Sequence, residues 1–212
     1  MLVLLQNFLF ASPIVEMYRD GGIGEVEKYI KEQLQTKEYW KDALKNKDVS
    51  YGYYENLNSL LLADKKTKKL TVYSTKNSKL ELLSEYENVI VGADGDKKKE
   101  GDLKTPLGVY SITKRFTPSD QFYGPLAFSL SYPNTYDKVQ GKNGHGIWIH
   151  GSPLDGSSRD AKSKGCIVLN NDTIELLDKN IESKNSITIV SEDGVQKIQK
   201  SQISTILAEL FR

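Results

Sequence analysis

The chain has few of the residues that most often carry reaction chemistry, since its 212 residues include one cysteine and two histidines. A single cysteine excludes an internal disulfide. No stretch approaches the roughly 20 apolar residues of a membrane-spanning helix, and neither CxxC nor HExxH, two common zinc-binding patterns, occurs. The formal net charge of +1 gives no electrostatic reason to expect a nucleic-acid partner.

Positive charge is concentrated in short lysine clusters at 65–66, 68–69 and 97–99. Turn residues or acids flank each cluster, so we expect these lysines to lie in solvated loops rather than in a phosphate-binding patch. With an apolar content of 38%, this composition is typical of an ordinary globular protein.

The cysteine and both histidines lie within one stretch of 22 residues, from His145 to Cys166, which reads HGIWIHGSPLDGSSRDAKSKGC. A thiolate is the reactive form of cysteine, and an imidazole is the side chain that best generates it near neutral pH. The small and polar residues 152–164 suit a loop that folds His150 back toward Cys166. We therefore favour a cysteine enzyme of acyl transfer, with a buried structural cysteine as the alternative.

Strand periodicity separates the two histidines. In an extended segment 146–150, His150 shares a face with Trp148, whereas His145 has the opposite phase. His150 ends the segment, where an active-site loop would begin, and is predicted to be the general base for Cys166. His145 is expected to support the strand or to line the edge of a cleft.

Backbone groups complete the predicted site. A carbonyl near Gly151 is the simplest partner for fixing the imidazole tautomer, with Asp155 and Asp160 as side-chain alternatives. Because glycine lets the backbone approach a reacting carbonyl, the N–H groups of Gly165 and Cys166 are predicted to bind the oxyanion of a tetrahedral intermediate. The predicted reaction is an attack of the thiolate on an amide carbonyl, which gives a thioester.

A zinc site is a weaker interpretation of the same residues. His145, His150 and Cys166 can supply three ligands, as catalytic zinc sites require. The spacing of the histidines, however, places them on opposite faces of a strand. We therefore expect neither a metal nor another cofactor.

Short segments rich in β-branched and aromatic residues dominate the chain beyond residue 57. Helices are predicted at 22–48, at 171–180 with Asn171 or Asp172 as the N-cap, and at 201–211. Strands are predicted at 59–63, 70–74, 80–83, 88–92, 108–114, 126–132, 146–150 and 186–190. This pattern predicts a mainly β fold of the α+β type, a sandwich or barrel with a short helix after Cys166.

Four regions are predicted along the chain. Residues 1–17 are apolar and resemble the core and cleavage end of a secretory signal, or they form an apolar N-terminal helix. Residues 18–56 are a helical accessory region whose apolar stripe suits packing or homodimerisation. Residues 57–192 are the predicted catalytic domain, and residues 193–212 a C-terminal helix.

Three segments carry a family resemblance: GDKKKEGDLKTPLGVYSI at 95–112, HGIWIHG at 145–151 and SKGCIVLNN at 163–171. Together they resemble the catalytic domain of the L,D-transpeptidases (YkuD-type), over roughly residues 58–191. The resemblance implies a YkuD-type β fold in which Cys166 is the nucleophile, His150 the base and Gly151 the backbone partner of the imidazole. It also implies a peptidoglycan stem peptide as substrate, attacked between the L-centre of meso-diaminopimelate and the terminal D-alanine.

Two residues depart from the family pattern. Lys164 replaces the histidine of the frequent Ser-His-Gly-Cys motif, and Val168 lies where many members have an arginine. A substrate with a terminal carboxylate still needs a cation. The predicted substrate-binding residues are His145, Trp148, Ser163 and the cations Lys104, Arg159 and Lys164, with Lys162 as a further cation. These departures and the helical N-terminal region resemble the branch of cell-shape enzymes of helical bacteria, which are L,D-carboxypeptidases.

The sequence therefore predicts a periplasmic cysteine L,D-carboxypeptidase that removes the terminal D-alanine from peptidoglycan tetrapeptides, with water resolving the thioester. An L,D-transpeptidase that passes the same acyl group to an amine, forming a 3-3 cross-link or attaching a protein, is the first alternative. A catalytically inactive module that binds the cell wall is the second, and it belongs to another functional class.

Overall fold

A computed structural model of the protein describes residues 13–76, 79–157 and 160–212. The chain forms two compact units. Of the residues that the structure describes, those within 53–197 form one unit, and residues 13–52 combine with residues 198–212 in the other. Both histidines and the cysteine belong to the 53–197 unit.

Eight strands form one sheet in the 53–197 unit, in the order β3-β2-β1-β8-β4-β5-β6-β7. Neighbouring strands are antiparallel except in the pairs β1–β8 and β6–β7, which are parallel. The strands are β1 (Ser59–Asp64), β2 (Lys69–Ser74), β3 (Glu81–Tyr86), β4 (Gly108–Phe116), β5 (Ala127–Leu130), β6 (Trp148–His150), β7 (Ile167–Val168) and β8 (Ser186–Ser191). The predicted mainly β fold with helices is confirmed.

The first hairpin forms because Asp64 suits the turn between β1 and β2. Its Oδ1 accepts hydrogen bonds from the N–H groups of Lys66 and Thr67, at 2.9 and 3.2 Å. Aspartate side chains commonly organise turns in this way. The strands predicted at 59–63 and 70–74 are confirmed, and they pair with Ser59 opposite Ser74 and Asp64 opposite Lys69.

The two ends of the strand order are linked by the segment that follows β3. Ile90 and Val168 exchange two backbone hydrogen bonds, at 3.0 and 2.8 Å, and form an antiparallel bridge. The sheet is therefore curled, so that its last strand meets this segment. The predicted strand at 88–92 is reduced to this bridge, and β7 was not predicted, because two residues are too few to show alternation.

One face of the sheet is built by alternate residues of β5, β6 and β7. Phe128 lies opposite Ile149, which lies opposite Ile167, and all three are fully buried. Burying each such side chain contributes about 1.5–3 kcal/mol. Since a slip of one residue would expose this set, the apolar face determines the register of the three strands.

Helix α4 (Asn171–Asn180) follows the candidate nucleophile, as predicted. Its N-cap, however, is Asn170, whose side chain accepts a hydrogen bond from the N–H of Thr173 at 2.7 Å. The predicted cap at Asn171 or Asp172 is therefore wrong. A short helix that was not predicted, α3 (Thr135–Val139), begins with a capping box between Asn134 and Asp137.

The other unit is helical and consists of α1 (Pro13–Leu34), α2 (Lys37–Ala43) and α5 (Lys200–Leu210). The single helix predicted over 22–48 is instead two helices, because Thr36 accepts from the N–H of Tyr39 and begins α2. Trp40 stacks on Phe211, with ring centroids 5.8 Å apart. Apolar side chains of α1 are exposed, namely Ile14, Val15, Tyr18, Ile23 and Ile30. Homodimerisation through this region stays a prediction.

Most of the predicted leader, residues 1–12, lies outside the described residues, whereas residues 13–17 belong to α1. Across the described ranges, none of the helices combines the length and apolar character that crossing a membrane requires.

Candidate active site

Cys166 and His150 lie on the same face of two neighbouring parallel strands. The pairs Ile149–Ile167 and His150–Val168 set the register of β6 and β7, and side chains alternate between faces along each strand. Cys166 directly precedes β7, so it shares the face of Val168 and His150, opposite the two buried isoleucines. Strand register, rather than a folded-back loop alone, therefore places the predicted thiol and imidazole on one face.

The His150 imidazole is fully buried, and its Nδ1 lies 2.7 Å from the carbonyl oxygen of Gly151. Because a carbonyl oxygen can only accept, Nδ1 carries the hydrogen and Nε2 is the nitrogen that can take up a proton. Asp155 and Asp160, the side-chain alternatives, are exposed, and Asp155 accepts from the N–H of Ser157 at 2.9 Å. The Gly151 carbonyl is therefore the group that orients the imidazole.

Gly124 and Gly151 allow the backbone to place the Gly151 carbonyl beside the His150 imidazole. A Cβ atom on Gly151 would lie 2.5 Å from Asn171 Oδ1 and 2.9 Å from Pro125 Cδ. A Cβ atom on Gly124, whose φ is 74°, would lie 2.7 Å from the Cα of Gly151. These distances are shorter than van der Waals contact, so any side chain at either position would displace the backbone next to His150.

Ser163 organises the turn that presents Cys166. Its hydroxyl donates to the Cys166 carbonyl at 2.6 Å and accepts from the Gly165 N–H at 3.1 Å. The residue is buried, so it shapes the turn instead of facing solvent as a substrate-binding group would. The Gly165 N–H, predicted to bind an oxyanion, is engaged in this turn, and the Cys166 N–H remains as the predicted donor.

Gly165 also brings this turn against a neighbouring loop. Its φ is 127°, and a Cβ atom there would lie 2.8 Å from the carbonyl oxygen of Lys104. The Cys166 side chain is partly exposed, and its Sγ lies 3.5 Å from the Gly146 carbonyl oxygen. Glycine is required at residue 165 because both the left-handed backbone and the close approach exclude a side chain.

A series of aromatic rings leads from the surface to the buried imidazole. Phe116 contacts Trp148, Trp148 contacts Tyr123, and Tyr123 contacts His150, each with ring centroids 5.0 Å apart and in edge-to-face geometry. Phe116, Tyr123 and Trp148 are partly exposed. Tyr123 packs directly against His150, and Trp148 shares the strand face of His150, which is also the face that carries the thiol.

Two of the remaining predicted substrate-binding residues, His145 and Lys164, are exposed. The His145 side chain is 82% exposed, with Nδ1 3.7 Å from Glu100 Oε1, so it is not a second partner buried beside His150. Lys164 is exposed, and Arg159 lies outside the described residues. Within the described ranges, no group of three or more His, Cys, Asp or Glu residues is arranged to hold a metal ion.

Two further predicted cations lie near Asp94 and Gly95. Lys162 Nζ lies 3.1 Å from Asp94 Oδ1. Lys104 Nζ lies beside Gly95, 3.2 Å from where a Cβ atom would be. The hydrogen bond and the positive charge of Lys162, and more weakly the charges of Lys65 and Lys104, lower the pKa of the Asp94 carboxyl. Of the two cations, Lys162 is the one paired with this carboxylate.

Buried lysines hold the 92–107 loop, which contacts the turn before Cys166. Lys65 is 5% exposed, and its Nζ donates to the Gly95 carbonyl at 2.5 Å and pairs with Glu192 at 2.9 Å. Lys97 is 3% exposed and pairs with Asp102 at 2.9 Å. The expectation that the lysine clusters are solvated is therefore wrong for these two residues, since their partners are distant in sequence or hidden within the loop.

A third buried lysine, Lys142, joins the same loop to α3. Lys142 Nζ lies 2.7 Å from Asp96 and 3.0 Å from the buried Asp137. Asp96 in turn accepts from the N–H of Leu107 at 2.9 Å. Burial lowers the pKa of Lys142, but the hydrogen bonds from its ammonium group to Asp96 and Asp137 outweigh this effect and raise it. Lys142 is therefore charged where it contacts the loop.

Asp102 is the acidic centre of the loop. Burial opposes its ionisation, but the hydrogen bond from Lys97 and the N–H groups of Lys98, Lys99 and Lys104 outweigh burial and hold the pKa of this carboxyl well below its ordinary value. The carboxylate therefore stays charged throughout the neutral and mildly acidic range.

Residues 58–189 match the family model of the L,D-transpeptidase catalytic domain (YkuD). The match covers more than half of the chain. The chain belongs to this family. The predicted family and its YkuD-type fold are thus confirmed, and the segments around His150 and Cys166 lie within the matched region.

Several known proteins resemble this L,D-transpeptidase family member. The helical cell shape determining protein Pgp2 of Campylobacter jejuni is 43% identical, with a TM-score of 0.78 over 84% of this chain and 62% of that one. Bd1075 of Bdellovibrio bacteriovorus is 28% identical, with a TM-score of 0.55 over 72% and 53%. YafK of Escherichia coli (strain K12) is 30% identical over 113 residues, 52% of this chain and 42% of YafK. The chain therefore spans less than two thirds of each.

Proposed function

We propose that the protein is a peptidoglycan-modifying cysteine L,D-carboxypeptidase with Cys166 as nucleophile and His150 as base. The 2.7 Å contact between His150 Nδ1 and the Gly151 carbonyl carries this proposal, because it leaves Nε2 as the nitrogen that accepts a thiol proton. Membership of the L,D-transpeptidase catalytic domain family supports peptidoglycan as the substrate and residues 53–197 as the catalytic unit. On the same ground we propose a periplasmic location.

In the first half of the reaction, the thiol proton of Cys166 moves to His150 Nε2 and the thiolate attacks the carbonyl carbon between meso-diaminopimelate and D-alanine. Negative charge collects on the carbonyl oxygen, and the N–H of Cys166 is the donor proposed to bind it. When the tetrahedral intermediate collapses, the C–N bond breaks and His150 returns the proton to the amine. D-Alanine leaves, and a thioester remains on Cys166.

In the second half, His150 takes a proton from the water molecule that attacks the thioester. The C–S bond breaks, His150 gives the proton to Sγ and so restores the thiol, and the new carboxylic acid of the tripeptide loses its proton to solvent. An amine in place of water would yield an amide, which is the L,D-transpeptidase alternative. The similarity to Pgp2, a protein named for cell shape, supports the hydrolytic outcome, as do Lys164 and Val168 at two positions where the family pattern differs.

Lys164 is the proposed cation for the terminal carboxylate of the donor stem. It is exposed and lies two residues before the nucleophile. Lys162, in contrast, pairs with Asp94, and the charge of Lys104 also acts on that carboxylate. Among the residues that the structure describes, Lys164 has no salt-bridge partner, and such a lysine loses less when it binds an anionic substrate. The partly exposed ring of Trp148 is proposed to contact the donor peptide beside the thiol.

The reaction is tested by incubating the purified protein with a disaccharide tetrapeptide and separating the products by liquid chromatography with mass detection. We expect disaccharide tripeptide and free D-alanine in equal amounts. Cross-linked dimers in place of tripeptide would overturn the carboxypeptidase proposal in favour of the transferase.

Variants identify the residues responsible. Cys166→Ser and His150→Ala should each abolish D-alanine release, whereas Asp155→Ala should keep it, because this exposed carboxylate does not orient His150. If the wild type released no D-alanine and Cys166→Ser bound muropeptides as tightly as the wild type, the chain would be the inactive wall-binding module instead.

A further inference from the structure

The peptide group between Gly151 and Ser152 is held at both ends. Its carbonyl oxygen lies 2.7 Å from His150 Nδ1, and its N–H donates to Asn171 Oδ1 at 2.8 Å. The hydrogen bonds therefore form a chain from the side-chain amide of Asn171, through one backbone peptide, to the imidazole. None of the predicted site roles was given to Asn171, although it ends the segment 163–171 that carries part of the family resemblance.

Helix α4 supplies Asn171 in a fixed position. Its neighbour Asn170 caps the helix through the N–H of Thr173, so the Asn171 side chain is not used for capping and reaches the Gly151–Ser152 peptide. The fit is close, since a Cβ atom on Gly151 would lie 2.5 Å from Asn171 Oδ1 and one on Gly124 would lie 2.8 Å from it. Two glycines thus make room for this one acceptor.

We propose that Asn171 is a positioning residue that acts on the base His150 through the Gly151–Ser152 peptide. This inference rests on the proposed function, in which His150 ionises Cys166. An acceptor at the N–H end of a peptide group prevents rotation of the group and increases the negative charge on its carbonyl oxygen. That carbonyl then binds the Nδ1 hydrogen more strongly, in the neutral imidazole and even more in the imidazolium.

The consequence is a stabilised thiolate–imidazolium pair. Without the acceptor, the Ser152 N–H loses its partner, and the peptide is held only through the flanking bonds from the Gly151 N–H to Leu126 and from the Ser152 hydroxyl to Leu169. The Gly151 carbonyl then binds the Nδ1 hydrogen less firmly, and the hydrogen can move to Nε2. An imidazole with its hydrogen on Nε2 presents a donor, not an acceptor, to the thiol. Asn171 therefore influences the reactivity of Cys166 without touching the thiol or the substrate.

The pH dependence of alkylation by iodoacetamide, followed by intact mass, measures this effect, because Cys166 is the only cysteine of the chain. In the wild type we expect the midpoint below about 7.5, as for imidazole-paired thiols, and in His150→Ala near the ordinary value of about 8.5. Asn171→Leu, which is similar in size and has no acceptor, should move the midpoint most of the way to the His150→Ala value. It should also lower kcat/KM about 10- to 100-fold, as losses of supporting hydrogen bonds do.

Two variants separate positioning from simple stability. Asn171→Asp keeps an acceptor for the Ser152 N–H, so its midpoint should be at or below that of the wild type. Asn170→Ala removes the cap of the same helix and should lower the urea midpoint of unfolding while leaving the alkylation midpoint unchanged. Asn171→Asp behaving like Asn171→Leu, or Asn170→Ala shifting alkylation equally, would overturn the inference.

The two proposals fail differently. If the wild-type midpoint is near about 8.5 and His150→Ala leaves it there, the thiolate–imidazole mechanism itself is wrong. If the wild-type midpoint is low and depends on His150, but Asn171→Leu does not move it, only the role of Asn171 is contradicted.

Discussion

The 92–107 loop and the 152–162 loop border the same turn before Cys166, and they are held by different means. The first contains buried Lys97 and receives buried Lys65 and Lys142 from outside, each paired with a carboxylate. In the second, every described residue from Leu154 to Lys162 is exposed. The 92–107 loop is therefore held in place beside the site and is called the wall below. The 152–162 loop presents a solvated surface.

Both loops contain charged residues, and the extent of burial determines how much an ion pair contributes to stability. An ion pair in solvent contributes little, because water screens the charges and the side chains lose entropy. A pair that is already buried cannot lose one partner without leaving an uncompensated charge, which is strongly destabilising. The 92–107 loop therefore depends on each of its buried ion pairs, while the exposed 152–162 loop tolerates changes in its charges.

The largest expected effect is in the wall. Asp102→Ala leaves the ammonium of Lys97, whose side chain is 4% exposed, without its carboxylate. We expect the free energy of unfolding of the 53–197 unit to fall by about 3–5 kcal/mol. Urea titration followed by fluorescence of Trp148, in a Trp40→Phe background, reports on this unit. Asp155→Ala in the other loop is the matched control and should leave the midpoint unchanged; equal effects of the two changes would break the comparison.

The Lys97–Asp102 pair also makes the stability of the folded chain depend on pH. The pKa of Asp102 is lower in the folded chain than its unfolded value of about 3.9. The stabilisation from this carboxylate is therefore complete above that value and is lost as the pH falls below it. The difference in urea midpoint between wild type and Asp102→Ala should narrow as the pH is lowered from about 5 to about 2. A constant difference would contradict this assignment.

A smaller effect is expected where the wall meets the nucleophile turn. Gly165→Ala places a methyl group 2.8 Å from the Lys104 carbonyl oxygen, whereas Gly156→Ala in the exposed loop, at φ 76°, meets nothing within 4 Å. Both changes strain the backbone by roughly 1–2 kcal/mol. The overpacking at residue 165 should add about 1–3 kcal/mol to this loss of stability and should reduce D-alanine release. Equal stability losses in the two variants would show that the backbone at Lys104 moves to accommodate the methyl group without cost.

The smallest effect is expected for an ion pair that joins the two loops. The side chains of Lys162 and Asp94 are 59% and 87% exposed. Lys162→Met should leave both the urea midpoint and D-alanine release unchanged, since solvent already screens the pair. A loss of turnover would instead place Lys162 in substrate binding, as one of the candidate cations.

The sequence predicts a good part of this fold for reasons that are local. Runs of β-branched and aromatic residues predict strands β1 and β2, and alternation predicts that His150 and Trp148 share one face of a strand. The apolar spacing over 22–48 predicted one helix, but Thr36 caps a second helix within that segment. Strand β7 was missed because two residues carry no periodicity, although its pairing with β6 is what places Cys166 beside the face of His150.

In the candidate site, too, some features could be predicted from the sequence and others depend on tertiary contacts. The roles of Cys166, His150 and Gly151 could be proposed from residue chemistry and family resemblance. The partners of Lys65 and Lys142 could not, because both loops contain glycine, aspartate and basic residues and only tertiary contacts distinguish them. Asn171 was assigned to helix capping, since two consecutive asparagines at a helix start do not show which one caps.

The central claim is that Cys166, ionised through His150, forms a thioester with the donor stem peptide. It is tested most directly by acid-quenching the protein during turnover of a disaccharide tetrapeptide and measuring the intact mass and the modified peptide. The account predicts an adduct on Cys166 equal in mass to the substrate minus D-alanine, and no adduct in His150→Ala. D-alanine release with the adduct on another residue, or an unchanged adduct in His150→Ala, would contradict it.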